Sequence, residues 1–191
     1  MTTYIYMVRH GDSLRTGVDE WTRGLSPKGE EDALRVTECL KDEGIDVMYS
    51  SPYIRAVNTI ADLADKLEQE IILIDDLREK VWMEGEQQLP DEELYQVLQK
   101  MYTDPDYALP GGESNRECQT RAVKALQDIL RTHAGKRVAI GTHGMVMSLM
   151  LGYFSPGYGL DFLMQTTKPD IYVMEFKEDK VSVRRMPIQA G

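Results

Sequence analysis

The chain has 191 residues, 42% of them hydrophobic and 28% charged, with 8 prolines; this composition suits one globular unit with a sizeable core and carries no signature of disorder. Its formal net charge of −10 repels polyanions and weighs against nucleic acid or an anionic membrane as partner, whereas a small phosphorylated molecule needs only a local cluster of positive groups in one cleft. The two cysteines, Cys39 and Cys118, are expected as free thiols in a reducing compartment, and the N-terminus Met1-Thr2-Thr3-Tyr4 opens no signal or membrane-spanning segment, so a cytoplasmic location is expected.

In chain order, Tyr4 to Val8 is apolar, β-branched and aromatic without polar alternation and predicts a strand covered on both faces, with Arg9, His10 and Gly11 at its end. Ser26 and Pro27 make an N-cap and first-turn pair, Ala33, Val36 and Leu40 recur at helical spacing, and Gly44 is placed to end that helix. Val47 to Tyr49 predicts a second strand. Ser51 and Pro52 repeat the helix-start signal, and Val57, Ile60, Ala61, Ala64 and Leu67 mark a buried helix face, which sets Arg55 in the first turn. Ile71 to Ile74 predicts a third strand. From Glu79 to Gly112 the pattern weakens; a helix carrying Leu94, Val97, Leu98 and Met101 is expected there within a lid, where Trp82, Tyr95, Tyr102 and Tyr107 either line a pocket or pack the lid itself.

Ser114 and Glu117 fit a capping box for a helix whose apolar stripe is Ala122, Ala125, Leu126, Ile129 and Leu130 and which ends near Gly135. Val138 to Ile140 reads as a buried strand leading through Gly141 and Thr142 to His143 and Gly144, and Met145 to Leu151, apolar on every side, predicts a core helix. Ile171 to Phe176 and Val181 to Met186 flank a polar turn and predict a hairpin. The alternation predicts a three-layer α/β/α sandwich with a mostly parallel central sheet and a C-terminal hairpin, a single domain over residues 1–191 with a lid at 79–112.

Three strand-to-helix junctions end in groups suited to phosphate: Arg9-His10-Gly11, the Arg55 turn, and His143-Gly144. In an open α/β sheet such junctions gather along the carboxyl edge, where helix N-termini add partial positive charge and free N–H groups. Arg9, Arg55 and a protonated His143 are expected to neutralise a transferring phosphoryl group. A neutral imidazole nitrogen of His10 attacks phosphorus directly and needs no metal or cofactor, and a carboxyl group, Glu79, is expected to protonate the leaving oxygen and then activate water.

Each of these residues alone has an ordinary reading, a solvated charge or a satisfied polar group; their conjunction carries the chemistry. Ser114 fits a helix cap as well as a site residue, His133 suits the C-terminal end of a helix dipole, and Met145, Met147 and Met150 suit core filling. His10, His133 and His143 lack helical ligand spacing and a carboxylate cluster, which weighs against a metal site.

These residues resemble the histidine phosphatase superfamily, the group that contains the cofactor-dependent phosphoglycerate mutases. The resemblance is carried in order by Val8-Arg9-His10-Gly11-Asp12-Ser13, Leu25-Ser26-Pro27-Lys28-Gly29, Ser50-Ser51-Pro52-Tyr53-Ile54-Arg55-Ala56, Gly111-Gly112-Glu113-Ser114 and Thr142-His143-Gly144. It implies phosphorylation of His10, phosphate binding by Arg9, Arg55 and His143, a proton donor after the third strand, and no required metal. Asp12 stands where Glu or Gln is commoner, and the usual Asn is not evident around Arg15 to Gly17. The proton-donor stretch is matched by Leu77-Arg78-Glu79, but the glycine-containing pattern after it is shortened around Trp82-Met83-Glu84-Gly85, which makes Glu84 the alternative acid. Hydrolysis of a small phosphorylated metabolite or phosphoprotein is the favoured activity, with mutase-type transfer and a non-catalytic phosphate-binding role as alternatives; the physiological substrate and the oligomeric state stay open.

Overall fold

In the computed structural model, residues 1–14, 19–83 and 91–188 are described. In chain order the elements are β1 (Thr2–Arg9), α1 (Pro27–Leu40), β2 (Val47–Ser50), α2 (Ile54–Lys66), β3 (Ile71–Leu73), a 3-10 turn (Asp75–Leu77), α3 (Asp91–Thr103), α4 (Asn115–Thr132), β4 (Arg137–Thr142), α5 (Gly144–Phe154), α6 (Leu160–Gln165), β5 (Asp170–Lys177) and β6 (Lys180–Met186). The strands form one sheet in the order β3-β2-β4-β1-β5-β6. Pairing is parallel from β3 through β2 and β4 to β1, and antiparallel from β1 through β5 to β6. The C-terminal hairpin is therefore part of the central sheet, because β5 pairs with β1 along its whole length.

The unbroken apolar run of β1 is buried on both faces from Ile5 to Val8, as a central strand between two helical layers requires. On one face Tyr6, Val8, Met48 and Ala139 meet Val36 and Leu40 of α1 and Ile60, Leu63 and Ala64 of α2. On the other, Ile5, Met7, Val138 and Ile140 meet Ala122, Leu126 and Ile129 of α4 and Val146, Met147 and Met150 of α5. Each fully buried Leu or Ile in these layers contributes roughly 1.5–3 kcal/mol. Helix α5 is buried from Gly144 to Leu151, which explains a segment apolar all round.

The start signals act unequally. Ser26 caps α1, its Oγ accepting from Gly29 N (3.2 Å), with Pro27 at the first helical position. Ser114 and Glu117 complete the capping box of α4. Ser51, by contrast, caps nothing: α2 starts at Ile54 behind Tyr53, and the Ser51 hydroxyl turns to His143. The 3-10 turn and α6 were not anticipated; α6 has six residues, none buried, too short to show a period.

Helix α3 lies where the weak pattern of Leu94, Val97, Leu98 and Met101 placed it. Leu98 and Met101 pack on Met145 at the start of α5, with Trp82, Tyr102 and Tyr107 against them, whereas Tyr95 is exposed. Cys39 and Cys118 are free thiols. Among the described residues no helix is long and apolar enough to cross a membrane.

Candidate active site

Neighbouring strands β1 and β4 feed helices on opposite faces of the sheet, so a crevice opens beyond their carboxyl ends. His10 N donates to Thr142 O (3.0 Å) and Ser51 N to Gly141 O (2.9 Å), which pins the exits of β1 and β2 to the end of β4. The His10 and His143 rings consequently lie with centroids 5.2 Å apart. Both residues are buried, 5% and 0% exposed.

The loop bearing His10 is held by its neighbours. Ser26 N donates to Asp12 O (3.0 Å) and Ser26 Oγ to Asp12 Oδ2 (2.7 Å). A Cβ on Gly29 would stand 2.0 Å from Asp12 O, so only glycine lets the first turn of α1 press against the loop. Gly11 N donates to Thr59 Oγ1 (3.0 Å), whose hydroxyl donates to Arg55 O (2.7 Å).

These contacts decide the His10 tautomer. Nδ1 lies 2.6 Å from Gly11 O, and a carbonyl only accepts, so the proton sits on Nδ1 and the lone pair on Nε2, where it accepts from Arg55 Nε (3.3 Å). Burial first, and then the Arg55 charge, hold the His10 pKa well below the ordinary imidazole value, against the opposing pull of the Gly11 bond. The ring is neutral near pH 7.

Arg55 is 1% exposed and stacks on Tyr53, with Cζ 4.9 Å from the ring centroid. Its Nη1 donates to Glu20 O and its Nη2 to Glu20 Oε2, both at 2.8 Å. Arg9 donates from Nη1 to Thr166 O (3.3 Å) and to Thr166 Oγ1. Its guanidinium lies over Gly144, where a Cβ would come 2.9 Å from Arg9 Cζ. His143 Nε2 is 2.7 Å from Ser51 Oγ. Burial holds the His143 pKa well below the ordinary imidazole value, so the ring is neutral and not the protonated cation expected from sequence. With the Ser51 hydroxyl, which also accepts from Tyr53 N (3.2 Å), donating to Nε2, His143 Nδ1–H is left as a donor. Arg9 Nε and His143 Nδ1 are buried and make no hydrogen bond within the described residues, which gives both capacity for the oxygens of an anion.

Glu79 reaches the same cleft from the segment after the 3-10 turn. Its Oε2 accepts from Met145 N (3.1 Å), and its Oε1 from Val146 N (3.0 Å) and Lys80 N (2.9 Å). The first-turn amides of α5, expected to face a bound anion, are thus taken by a side-chain carboxyl group of the protein itself. Glu79 also acts electrostatically on both Arg9 and Arg55.

The structure therefore brings Arg9, His10, Arg55, Glu79 and His143 to one sheet edge. His133 stays apart, half-buried at the end of α4 with Nε2 2.8 Å from Tyr49 Oη, so it is a packed polar partner and not a plain surface residue. Ser114 serves as the cap of α4. Glu84 and Arg15 to Gly17 lie outside the described residues. Among the described residues no group of three or more His, Cys, Asp or Glu side chains could hold a metal ion.

Several partners of the site were missed from sequence. Arg121 of α4 donates to the carbonyls of Asp76 (2.7 Å), Arg78 (3.0 Å) and Glu79 (3.3 Å) and pairs with Glu113, so it fixes the backbone that carries Glu79. Glu113 in turn accepts from Val81 N (2.9 Å), and a Cβ on Gly112 would stand 2.1 Å from Trp82 O. The Gly-Gly-Glu-Ser motif is thus a clasp on the Glu79 segment. Thr59, four residues after Arg55, was findable from helical spacing; Glu20 and Thr166, on loops, were not.

Burial has a consequence for stability. The folded chain holds His10 and His143 far below 6.5, the value of a free imidazole, so the unfolded chain takes up protons below about pH 6.5 that the folded chain refuses. Stability is expected to fall as pH drops from about 7.5 to 5.5, read as a declining Tm, with a shallower slope in His143→Asn. An unchanged slope would show that His143 does not titrate this way.

A layered α/β protein with paired histidines and arginines at the carboxyl edge of its parallel strands is the class that fold and site define. The chain belongs to the histidine phosphatase superfamily (branch 1), whose family model matches residues 5–189. It is 34% identical over 159 residues to phosphoglycerate mutase-like protein 4 of Arabidopsis thaliana, a match covering 75% of this chain and 67% of the relative. It is 31% identical over 160 residues to the metal-independent phosphoserine phosphatase of the same plant, covering 76% and 66%. The chain spans about two thirds of the length of these plant relatives. Among solved structures, a mycobacterial glucosyl-3-phosphoglycerate phosphatase shares the fold, with a TM-score of 0.78 at 16% identity over 97% of both chains.

Proposed function

We propose that the protein is a phosphatase that hydrolyses phosphate monoesters through a phosphohistidine intermediate on His10, without metal or cofactor. The observation that carries this reading is the 2.6 Å contact of His10 Nδ1 with Gly11 O, which assigns the proton to Nδ1 and leaves the Nε2 lone pair beside Arg55. Nε2 attacks phosphorus while the bond to the leaving oxygen breaks, and the electron pair departs on that oxygen, which takes a proton from the Glu79 carboxyl. Arg9, Arg55 and His143 Nδ1–H bear the charge spread over the phosphoryl oxygens. The Gly11 carbonyl stabilises the positive charge that the ring acquires. In the second half Glu79 takes a proton from water, the water oxygen attacks phosphorus, and the P–N bond breaks with its electron pair returning to Nε2.

Family membership and the metal-independent phosphoserine phosphatase relative support the reading. The same proposal takes residues 1–191 as one domain, residues 79–112 as a lid that sets specificity, and a small phosphorylated molecule or phosphoprotein as substrate, with no nucleic acid or membrane as partner. A cytoplasmic location belongs to it too, supported by the two free thiols.

Hydrolysis of a panel of phosphorylated metabolites and phosphopeptides, run with EDTA and beside a phosphoglycerate mutase assay, tests it. Full activity after chelation is expected, because the cations of the site are side chains. Activity lost with EDTA and restored by metal would point to a metallohydrolase. Faster transfer to phosphoglycerate than to water would favour the mutase, and phosphate binding without turnover the non-catalytic alternative.

A further inference from the structure

Two charged residues at the mouth of the cleft have no part in that chemistry. Glu20 is half-exposed, its side chain 52% accessible, yet its carboxylate holds the buried Arg55 Nη2 (2.8 Å) and also Arg23 Nη2 (3.1 Å). Arg23 is mostly buried, at 17%, and its Nε makes no hydrogen bond within the described residues. The Arg23 charge is felt by both Arg55 and His143, so it belongs to the electrostatics of the cleft.

The backbone and the carboxylate of Glu20 do different things. Asp19 Oδ1 accepts from Trp21 N (2.8 Å) and Thr22 N (3.2 Å), Arg23 N donates to Asp19 O (3.0 Å), and Trp21 O accepts from Ile54 N (3.0 Å). This anchored turn sets the Glu20 carbonyl on Arg55 Nη1. Together with the Tyr53 ring and His10 Nε2, that carbonyl holds the guanidinium in place whatever the carboxylate does. The side chain that carries the carboxylate is half-exposed, so solvent can receive the carboxylate once it is displaced.

We propose that the Glu20 carboxylate is an internal competitor for the outer donors of Arg55 and Arg23: the phosphate of a substrate displaces it, and it returns to those donors as inorganic phosphate leaves. The inference rests on the phosphatase reading. A phosphate oxygen cannot take the Nη2 hydrogen of Arg55 that the carboxylate already holds, and two anions a few ångströms apart on one guanidinium repel each other. The competition weakens substrate and product alike, so it raises KM and hastens product release without touching the chemical step.

Titrating inorganic phosphate calorimetrically into the wild type, Glu20→Gln and Glu20→Ala at fixed ionic strength tests it. The two variants are expected to bind phosphate about three- to tenfold more tightly, the range open to a half-exposed ion pair on a buried guanidinium. KM for p-nitrophenyl phosphate should fall in parallel, with kcat no higher than in the wild type. Unchanged affinity would overturn the proposal, and so would weaker binding with a lower kcat/KM, which would make Glu20 a positioning residue for Arg55. Tighter phosphate binding in proteins that never hydrolyse the ester would sustain the competition and sink the phosphatase reading instead. No phosphate binding in any of the three would sink both.

Discussion

His10→Ala is expected to lower turnover on the order of 10³-fold or more, with the fold preserved. The side chain supplies the attacking lone pair, and among the described residues its loss leaves no other imidazole nitrogen accepting from Arg55. The backbone bond from His10 N to Thr142 O survives the change, and Arg55 keeps both bonds to Glu20. Circular dichroism and thermal unfolding should therefore show a folded protein. Brief incubation with labelled substrate and a denaturing quench should trap label on the wild type and none on His10→Ala. The label should be lost in acid and retained in base, as a phosphoramidate requires. Acid-stable label, or label retained in the variant, would remove the phosphohistidine step.

Much of this site was legible in the chain because apolar runs end abruptly in polar ones. The run of β1 stops at Arg9-His10 and that of β4 at Thr142-His143, and each end reads as a strand exit before a helix. What no local pattern states is that β4 inserts between β1 and β2, and this adjacency sets the two imidazoles side by side. Ser51 shows why a correct motif yields an incorrect role: a hydroxyl before proline is as good a partner for a buried imidazole as for a helix amide. Glu20 leaves no trace at all. It sits in a turn without periodicity, and its importance arises from meeting Arg55 across 35 positions of chain.

Glu79→Gln separates the proton donor from a merely structural carboxylate. The side chain accepts amide bonds from Met145, Val146 and Lys80, and glutamine keeps an oxygen able to accept most of them, so the variant should fold. A sugar or alkyl oxygen cannot depart as an anion and needs a proton, whereas nitrophenolate leaves unprotonated. Phosphorylation of His10 by an alkyl phosphate is therefore expected to slow by ~10²-fold or more in Glu79→Gln, and phosphorylation by p-nitrophenyl phosphate much less. Single-turnover rates of the first step must be compared, because dephosphorylation slows for both substrates if the same carboxylate activates water. Equal losses with the two leaving groups would show that Glu79 only ties its segment to the start of α5. Glu84→Gln is then the deciding comparison. The shortened stretch after Glu79 leaves Glu84 as the second acid within reach of that segment in sequence, and only the true donor should show a loss that grows with the basicity of the leaving oxygen.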